Sequence, residues 1–525
     1  MVARAVPRAR PARRPSRSPR RRRRRIRLDR RAGSADVPVR SRHGTEGLME
    51  TRIQVLSEDE KAQVHERTLK VLGTTGLRCD TEEGRRILQA AGADVDEATR
   101  RVRLSADLVE SLLEQATTSF VVQGRRPDWS FPLGAGAFTL LADGGATSVY
   151  DAATGERRPT TWDDWRAATR LLDALDDVGF YWCPVDYAPD FEQPGGLVRY
   201  FTEVFAVFGK HVQDSFGTPA LVPWLKELLD IVFGGPAEVR ARMPLSFLIT
   251  PTSPLTIERG FTQTWLGLRD YGLPVAVMPM PLQGATAPGS RLATLLTANV
   301  ETIGTLCLVQ AAAPGTPVMY APVVATMDPR TGLYAAGAME HAVLCVAATE
   351  MARWYGLPAE SSGLCTQTYQ PDLQTAWEKT GGGLLVTLSD PDVLVGPGLL
   401  GGATVLNLEQ ILLDVEVIRH ARRARSGVPV RDDLWLDDVL ERVGPSGSFL
   451  GERSTRTGVH AGEWRLSDFG VQGSWDAWQA AGAPGSMTAA RERIAAILSQ
   501  QVSLPYSDDQ AAALAALQRR ADAAS

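Results

Sequence analysis

The chain has 525 residues, 44% hydrophobic and 22% charged, enough apolar material for one large domain with additions. No uninterrupted apolar run approaches the ~18 residues that a spanning helix needs, so a membrane span is not expected. The formal net charge of −4 conceals two opposite pieces: residues 1–48 carry 17 Arg and no Lys against 3 acids, leaving 40 of the 57 basic and 58 of the 61 acidic side chains to residues 49–525, a net of −18.

The first piece, residues 1–48, holds the run Arg20–Arg25 among prolines and cannot bury apolar surface, so disorder is expected there. An arginine run can neutralise phosphates or form part of a transit peptide. Met49 stands just before a well-formed helix start, however, and the favoured reading is upstream sequence from a misplaced start codon; no nucleic-acid partner is expected. The five cysteines, Cys79, Cys183, Cys307, Cys345 and Cys365, form no C-x-x-C pair and have no His at metal-ligand spacing. That pattern fits a reducing cytoplasm and assigns no metal ligand.

Residues 49–135 read as an N-terminal α+β cap. Ser57 and Glu60 form a capping box for a first helix, a second spans Glu82–Ala91 before Gly92, a short strand covers Arg101–Leu104 and a third helix Ser105–Gln115. Residues 147–158 alternate and turn at Thr154-Gly155, as a hairpin does.

Over residues 136–430, short apolar runs alternate with helical patterns. The predicted strands are Phe138–Leu141, Phe180–Val185, His211–Ser215, Leu245–Ile249, Val275–Pro279, Val318–Val324, Ser361–Cys365 and Val393–Val395. Eight strand-helix units are the number that closes a (β/α)8 TIM barrel, an α/β fold. The last helix, after Thr404, places Val405, Leu408, Leu412 and Val415 at core spacing and ends in arginines suited to a helix C-terminus. Residues 431–525 form a C-terminal extension of aromatic turns and a final helix pair.

In such a barrel the chemistry lies in the loops after the strands. Those loops contain Asp143-Gly144-Gly145, Asp186-Tyr187, Asp214-Ser215, Gln283-Gly284, Thr326-Met327-Asp328, Gln367-Thr368-Tyr369 and the glycine turn Gly396-Pro397-Gly398-Leu399-Leu400-Gly401-Gly402. They hold no nucleophile–base pair of the hydrolase kind and are poor in His and Lys. Tyr181, Trp182, Tyr187, Tyr320, Tyr369 and Trp377 fall on or beyond strands, and such rings with the Asp186 carboxylate would suit a quaternary ammonium.

The segments PVAVMPMPLQGATAP, GAMEHAVLCVAATEMARWYGLP, QPDLQTAWEK, DVLVGPGLLGGATVLNLEQ and FLGERSTR, in this order, resemble the corrinoid-dependent trimethylamine methyltransferase family. The resemblance extends over roughly residues 55–520. It implies a TIM-barrel enzyme that moves a methyl group from a small methylated amine to the Co(I) corrinoid of a separate carrier protein. Residues 366–379, where founding members carry pyrrolysine, hold ordinary residues here, which places the chain with the non-pyrrolysine, glycine betaine methyltransferase-like branch. Thr366–Tyr369 carries no charge, which points to a quaternary amine other than glycine betaine itself.

By the same resemblance, Gln283 and Gly284, together with Gly396, Gly398, Gly401 and Gly402, border the corrinoid, while Asp186, Tyr187, Gln367 and Tyr369 hold the ammonium. Glu378 and Lys379 match a family motif but read as a solvated helix face. A zinc-dependent relative would need Cys183, His211 and Cys365 to converge, and a non-catalytic corrinoid- or osmolyte-binding relative is the alternative of another class. A homo-oligomer is compatible with the sequence, which names no state.

Overall fold

A computed structural model describes residues 51–525 apart from 153, 187–189 and 501–503. Eight parallel strands make one sheet: β1 Thr139–Leu141, β2 Val178–Tyr181, β3 His211–Asp214, β4 Leu245–Ile249, β5 Val275–Val277, β6 Val318–Tyr320, β7 Glu360–Ser362 and β8 Val393–Val395. Their order is β6-β5-β4-β3-β2-β1-β8-β7, and a parallel bridge between Tyr320 and Ala359 joins the two ends. The sheet is therefore a closed barrel. Each strand is covered on both faces, which is why most of these segments read as continuous apolar runs; β3 and β7 are the polar exceptions. The second strand lies at Val178–Tyr181 rather than 180–185, because Trp182, Cys183 and Pro184 have already left the ladder.

The ring helices are α1 Trp162–Ala174, α2 Pro194–Val207, α3 Val222–Phe233, α4 Gly260–Leu268, α5 Arg291–Ala312, α6 Met339–Trp354, α7 Leu373–Leu388 and α8 Leu408–Arg425. Several start on side-chain caps: Thr161 on Asp164 for α1, Asp372 on Thr375 for α7 and Asn407 on Gln410 for α8. Val405, expected on the helical face, instead pairs with Ser148 in a short sheet beside the hairpin Ser148–Asp151/Glu156–Pro159. By length and composition α5 could cross a membrane, but 78% of its apolar stretch is buried. Its neighbours are the cap helices Glu58–Thr74, Glu82–Ala90 and Ala106–Leu113.

Two devices fill and fasten the barrel. The hairpin Phe120–Gln123/Ser130–Leu133 sends Phe120, Val122 and Leu133 into one apolar cluster with Phe180, Leu248, Met319, Val393 and Val395, and Gly134 N–H donates to Asp392, just before β8, at 2.8 Å. Helix Ser486–Ser499 packs on α8 and α1, and helix Asp508–Asp522 on α2 and α3. The C-terminal extension thus straps part of the ring.

A polar chain crosses the barrel interior. His211 Nε2 lies 3.0 Å from Ser246 Oγ, which donates to Gln213 Oε1 at 3.1 Å, and the Gln213 amide donates to both Glu360 oxygens at 2.8 and 3.0 Å. Burial pushes His211 down to about 3 and Glu360 up to about 8. Both are neutral at pH 7.

Candidate active site

A group of buried charged side chains lies over β1, β7 and β8. Asp143 follows β1 and accepts from Gly144 N–H at 3.0 Å. Burial pushes it up to about 6, with the charge of Lys379 holding back a larger rise. Behind it, Lys379 of α7 and Asp414 of α8 form a buried ion pair at 2.6 Å. Asp414 also accepts from Gly398 N–H and from Gln410, each at 2.8 Å, so the glycine turn after β8 is pinned to the same carboxylate. Lys379 is therefore not on a solvated face: only 1% of its side chain is exposed.

Beside Asp143 lies a sulfur–imidazole group. His341, in the first turn of α6, directs Nδ1 at the Val324 carbonyl, 2.9 Å away, which fixes the proton there and turns Nε2 to the Tyr334 hydroxyl at 3.3 Å. Cys365, just after β7, has its sulfur 3.1 Å from Ser362 Oγ. Burial works against charge on both, but Cys345 and Cys365 raise His341 well above its ordinary range, and His341 lowers Cys365. Together they favour an imidazolium–thiolate pair. Asp143 bears on Cys365 and Tyr334 alike, so these groups share one electrostatic neighbourhood.

The loop after β7 is held by Glu378, whose carboxylate accepts from Thr366 Oγ1 at 2.6 Å, Gln367 N–H at 2.9 Å and Gln374 at 2.9 Å. Gly401 N–H and Gly402 N–H donate to the carbonyls of Thr368 and Thr366 at 2.7 and 2.9 Å, joining this loop to the glycine turn. Glu378, which read as a solvated surface residue, is thus a loop anchor. Gln367 spends its side-chain oxygen on Ala336 N–H at 3.0 Å, tying in the loop after β6.

The expected cage partly dissolves. Tyr181 accepts from Trp165 Nε1 at 2.7 Å and Tyr320 donates to Asn299 at 2.8 Å, so both rings point outward into the helices, and Trp377 is exposed on α7. Trp182 and Tyr369 remain at the mouth. A Cβ on Gly144 would lie 2.6 Å from the Trp182 ring, and one on Gly401 2.6 Å from Tyr369, so each ring lies flat on a glycine. A Cβ on Gly402 would sit 3.8 Å from Tyr334, which links the two sides. Asp186 is exposed, with its N–H on the Ala146 carbonyl at 2.9 Å and its own carbonyl accepting from Thr160; Tyr187 lies outside the described residues.

Gln283 belongs to a two-residue strand, Leu282–Gln283, paired with Ala325–Thr326; its amide donates to Gly289 O at 3.0 Å and its oxygen accepts from Thr326 at 3.3 Å. Gly284 turns there with φ 85°. Cβ atoms on Gly396 and Gly398 would strike Leu364 at 2.8 Å and Ile411 at 2.4 Å, so these two glycines face packed side chains. Cys183 bonds the Val185 carbonyl, His211 bonds Ser246 and Cys365 bonds Ser362, and among the described residues no three His, Cys, Asp or Glu side chains group as a metal ion would need.

The family model for trimethylamine methyltransferase (MTTB) matches residues 20–524. The chain belongs to the trimethylamine methyltransferase family. It is an enzyme of the methyltransferase class. The match begins inside the arginine-rich segment, earlier than the motifs alone suggested. Among curated relatives, the trimethylamine methyltransferase MttB of Desulfitobacterium hafniense (strain DSM 10664 / DCB-2) is 30% identical over 460 residues, covering 87% of this chain and 92% of its own. The glycine betaine methyltransferase of D. hafniense (strain Y51) is 26% identical over 436 residues, covering 82% and 90%. The crystal structure of the Methanosarcina barkeri monomethylamine methyltransferase (MtmB) aligns with a TM-score of 0.44 at 12% identity, over 83% of this chain and 92% of that one.

For a family that works with corrinoid proteins, the relevant test is whether the mouth can meet a broad, flat group brought by another protein. Met280, Leu333, Met339 and Tyr369 are exposed on the loops and helix starts that follow β5, β6 and β7. This apolar rim fits such a group.

Proposed function

We propose that this methyltransferase takes a methyl group from a quaternary amine and passes it to the corrinoid of a separate carrier protein. The observation that carries the reading is the Asp143 carboxylate, enclosed at the mouth with Trp182 against the neighbouring Gly144 and Tyr334 within its field. A carboxylate among aromatic faces is the environment that a permanent cation without N–H donors selects. Asp143, rather than the exposed Asp186, is the anionic pole; Gln367 orders the loop and Tyr369 covers the cation from the glycine turn.

The corrinoid, once its carrier docks, supplies the electron pair that accepts the methyl group. The C–N bonding pair stays with nitrogen, which leaves as a neutral tertiary amine and needs no proton. The protein's work is to orient one N–CH3 group toward the open side of the mouth and to exclude water. Gly401 seats the Tyr369 ring at this opening, while the Lys379–Asp414 pair holds the glycine turn in place through Gly398. A second reading, a tertiary amine, has His341 in its favour, because a charged imidazole beside the mouth could provide the proton that such a leaving group requires. The five free cysteines support a reducing, cytoplasmic setting.

The test is methyl transfer from a panel of amines to a reduced corrinoid on a competent carrier, followed by corrinoid absorbance. Transfer from one quaternary amine but not from trimethylamine supports the proposal. Transfer from trimethylamine alone selects the second reading, and none from any amine overturns both.

A further inference from the structure

Of the five cysteines, Cys79, Cys307 and Cys345 are buried, while Cys183 and Cys365 are partly exposed. The two partly exposed sulfurs have different surroundings. Cys183 donates to the Val185 carbonyl at 3.1 Å, an arrangement that keeps the proton on sulfur. Cys365 instead lies 3.1 Å from the Ser362 hydroxyl, which can donate to it, and shares a cavity with the His341 imidazole. That imidazole is itself fixed, with Nδ1 2.9 Å from the Val324 carbonyl and 3.7 Å from Cys345 Sγ, and Nε2 3.3 Å from the Tyr334 hydroxyl. Burial pushes Cys79, Cys183 and Cys307 up to about 12, whereas His341 lowers Cys365. Methyl transfer from a quaternary amine uses none of these groups.

The shape of the cavity narrows the choice of reagent. Gly337, Gly363 and Gly382 line it beside Cys365, His341 and Glu378, and its volume is about 10 Å³, room for a single water. Met339, which is exposed, forms part of the wall, so the cavity opens toward solvent. A molecule little larger than water reaches the sulfur by this route, and a bulky one does not.

We propose that Cys365 is a peroxide-reactive thiol, oxidised to a sulfenic acid with His341 as proton donor, and that this oxidation reversibly disables the mouth. The Cys365 thiolate attacks one oxygen of hydrogen peroxide: the S–O bond forms, the O–O bond breaks and sulfur gives up two electrons. The leaving hydroxide takes the imidazolium proton of His341 and departs as water. A dithiol reverses the change, returning Cys365 to the thiol and releasing water as the dithiol closes to its disulfide. The added oxygen must be placed in a space that Glu378 also lines, and Glu378 is the anchor of Thr366 and Gln367 in the loop that begins one residue after Cys365. Disturbance there passes to the glycine turn, whose Gly401 and Gly402 donate to the carbonyls of Thr368 and Thr366. The oxidation chemistry does not depend on the methyl-transfer reading; its effect on turnover rests on it.

The test exposes the full chain to hydrogen peroxide with dimedone present to trap sulfenic acid, and reads each cysteine by peptide mass spectrometry. Cys365 should label about 10-fold faster than Cys183, and His341→Gln should slow it by about 10-fold. In the wild-type chain a bulky aromatic disulfide should leave Cys365 unmodified. Methyl transfer should fall in step with the oxidised fraction and return with dithiothreitol. Labelling of Cys365 no faster than Cys183, an unchanged rate in His341→Gln, modification by the bulky disulfide as readily as by peroxide, or full oxidation with undiminished transfer would overturn the proposal. A chain that transfers no methyl group before oxidation counts against the methyl-transfer reading alone, and the labelling rates still decide the reactivity of Cys365.

Discussion

The barrel contains two enclosed polar networks that meet the same electrostatic problem in opposite ways. In the interior, His211, Ser246, Gln213 and Glu360 are linked by hydrogen bonds, and burial drives the two titratable members to their neutral forms. At the mouth, Lys379 pairs with Asp414 and His341 with Cys365, while burial pushes Asp143 up to about 6. Neutralisation makes a spacer; pairing with one carboxylate left partly open makes a site for a cation. The difference separates polar residues that hold the barrel from polar residues that can receive a substrate.

The sharpest way to break that comparison is Asp143→Asn. Losing the anionic pole against a desolvated cation should lower kcat/KM for the amine by about 100-fold, with little change in melting temperature. Steady-state kinetics beside calorimetry would check both halves. Next is Lys379→Met, which leaves Asp414 buried without its cation and should cost about 3–5 kcal/mol in a urea titration. Adding Asp414→Leu should recover most of that loss, while Gly398 N–H still loses its acceptor.

Glu360→Gln tests the neutral network. The folded-state value of about 8 lies above the unfolded carboxylate value, so the native state holds a proton that the unfolded state releases. Stability from this group is complete below the unfolded value and is lost as pH rises toward about 8. The substitution should flatten the fall in melting temperature across that window without affecting amine transfer. The smallest effect belongs to Tyr181→Phe: loss of the bond from Trp165 should cost about 1 kcal/mol and leave KM unchanged, because the ring faces the helices.

The frame was legible because most of the parallel strands, covered on both faces, are short apolar runs bounded by glycine and proline, and because helix starts at Ser57, Thr161 and Asp372 carry capping side chains. The same two-sided burial hid which way a strand residue points. Phe180 and Met319 enter the barrel while their neighbours Tyr181 and Tyr320 leave it, and no alternation of polar and apolar residues marks the parity. Lys379 looked solvated because Ala376, Trp377 and Thr380 around it are exposed; its partner is on the next helix. Asp143 and Asp186 both follow strands, and what separates them is the third dimension: Trp182 laid on Gly144 and a lysine arriving from α7. His341 and Tyr334 were missed because neither stands at a strand end. The pairing of a histidine with cysteine four residues on, His341 and Cys345, was the one local signal.

The central claim, that Asp143 is the anionic partner of a quaternary ammonium, is tested most directly by calorimetric titration of tetramethylammonium between pH 5 and 8. A carboxylate pushed up to about 6 becomes the charged form as pH rises through that value, so affinity should climb through this range and level off above it. In Asp143→Asn the binding should be weak and independent of pH. Equal, pH-dependent binding by both proteins would contradict the account and place the cation elsewhere at the mouth.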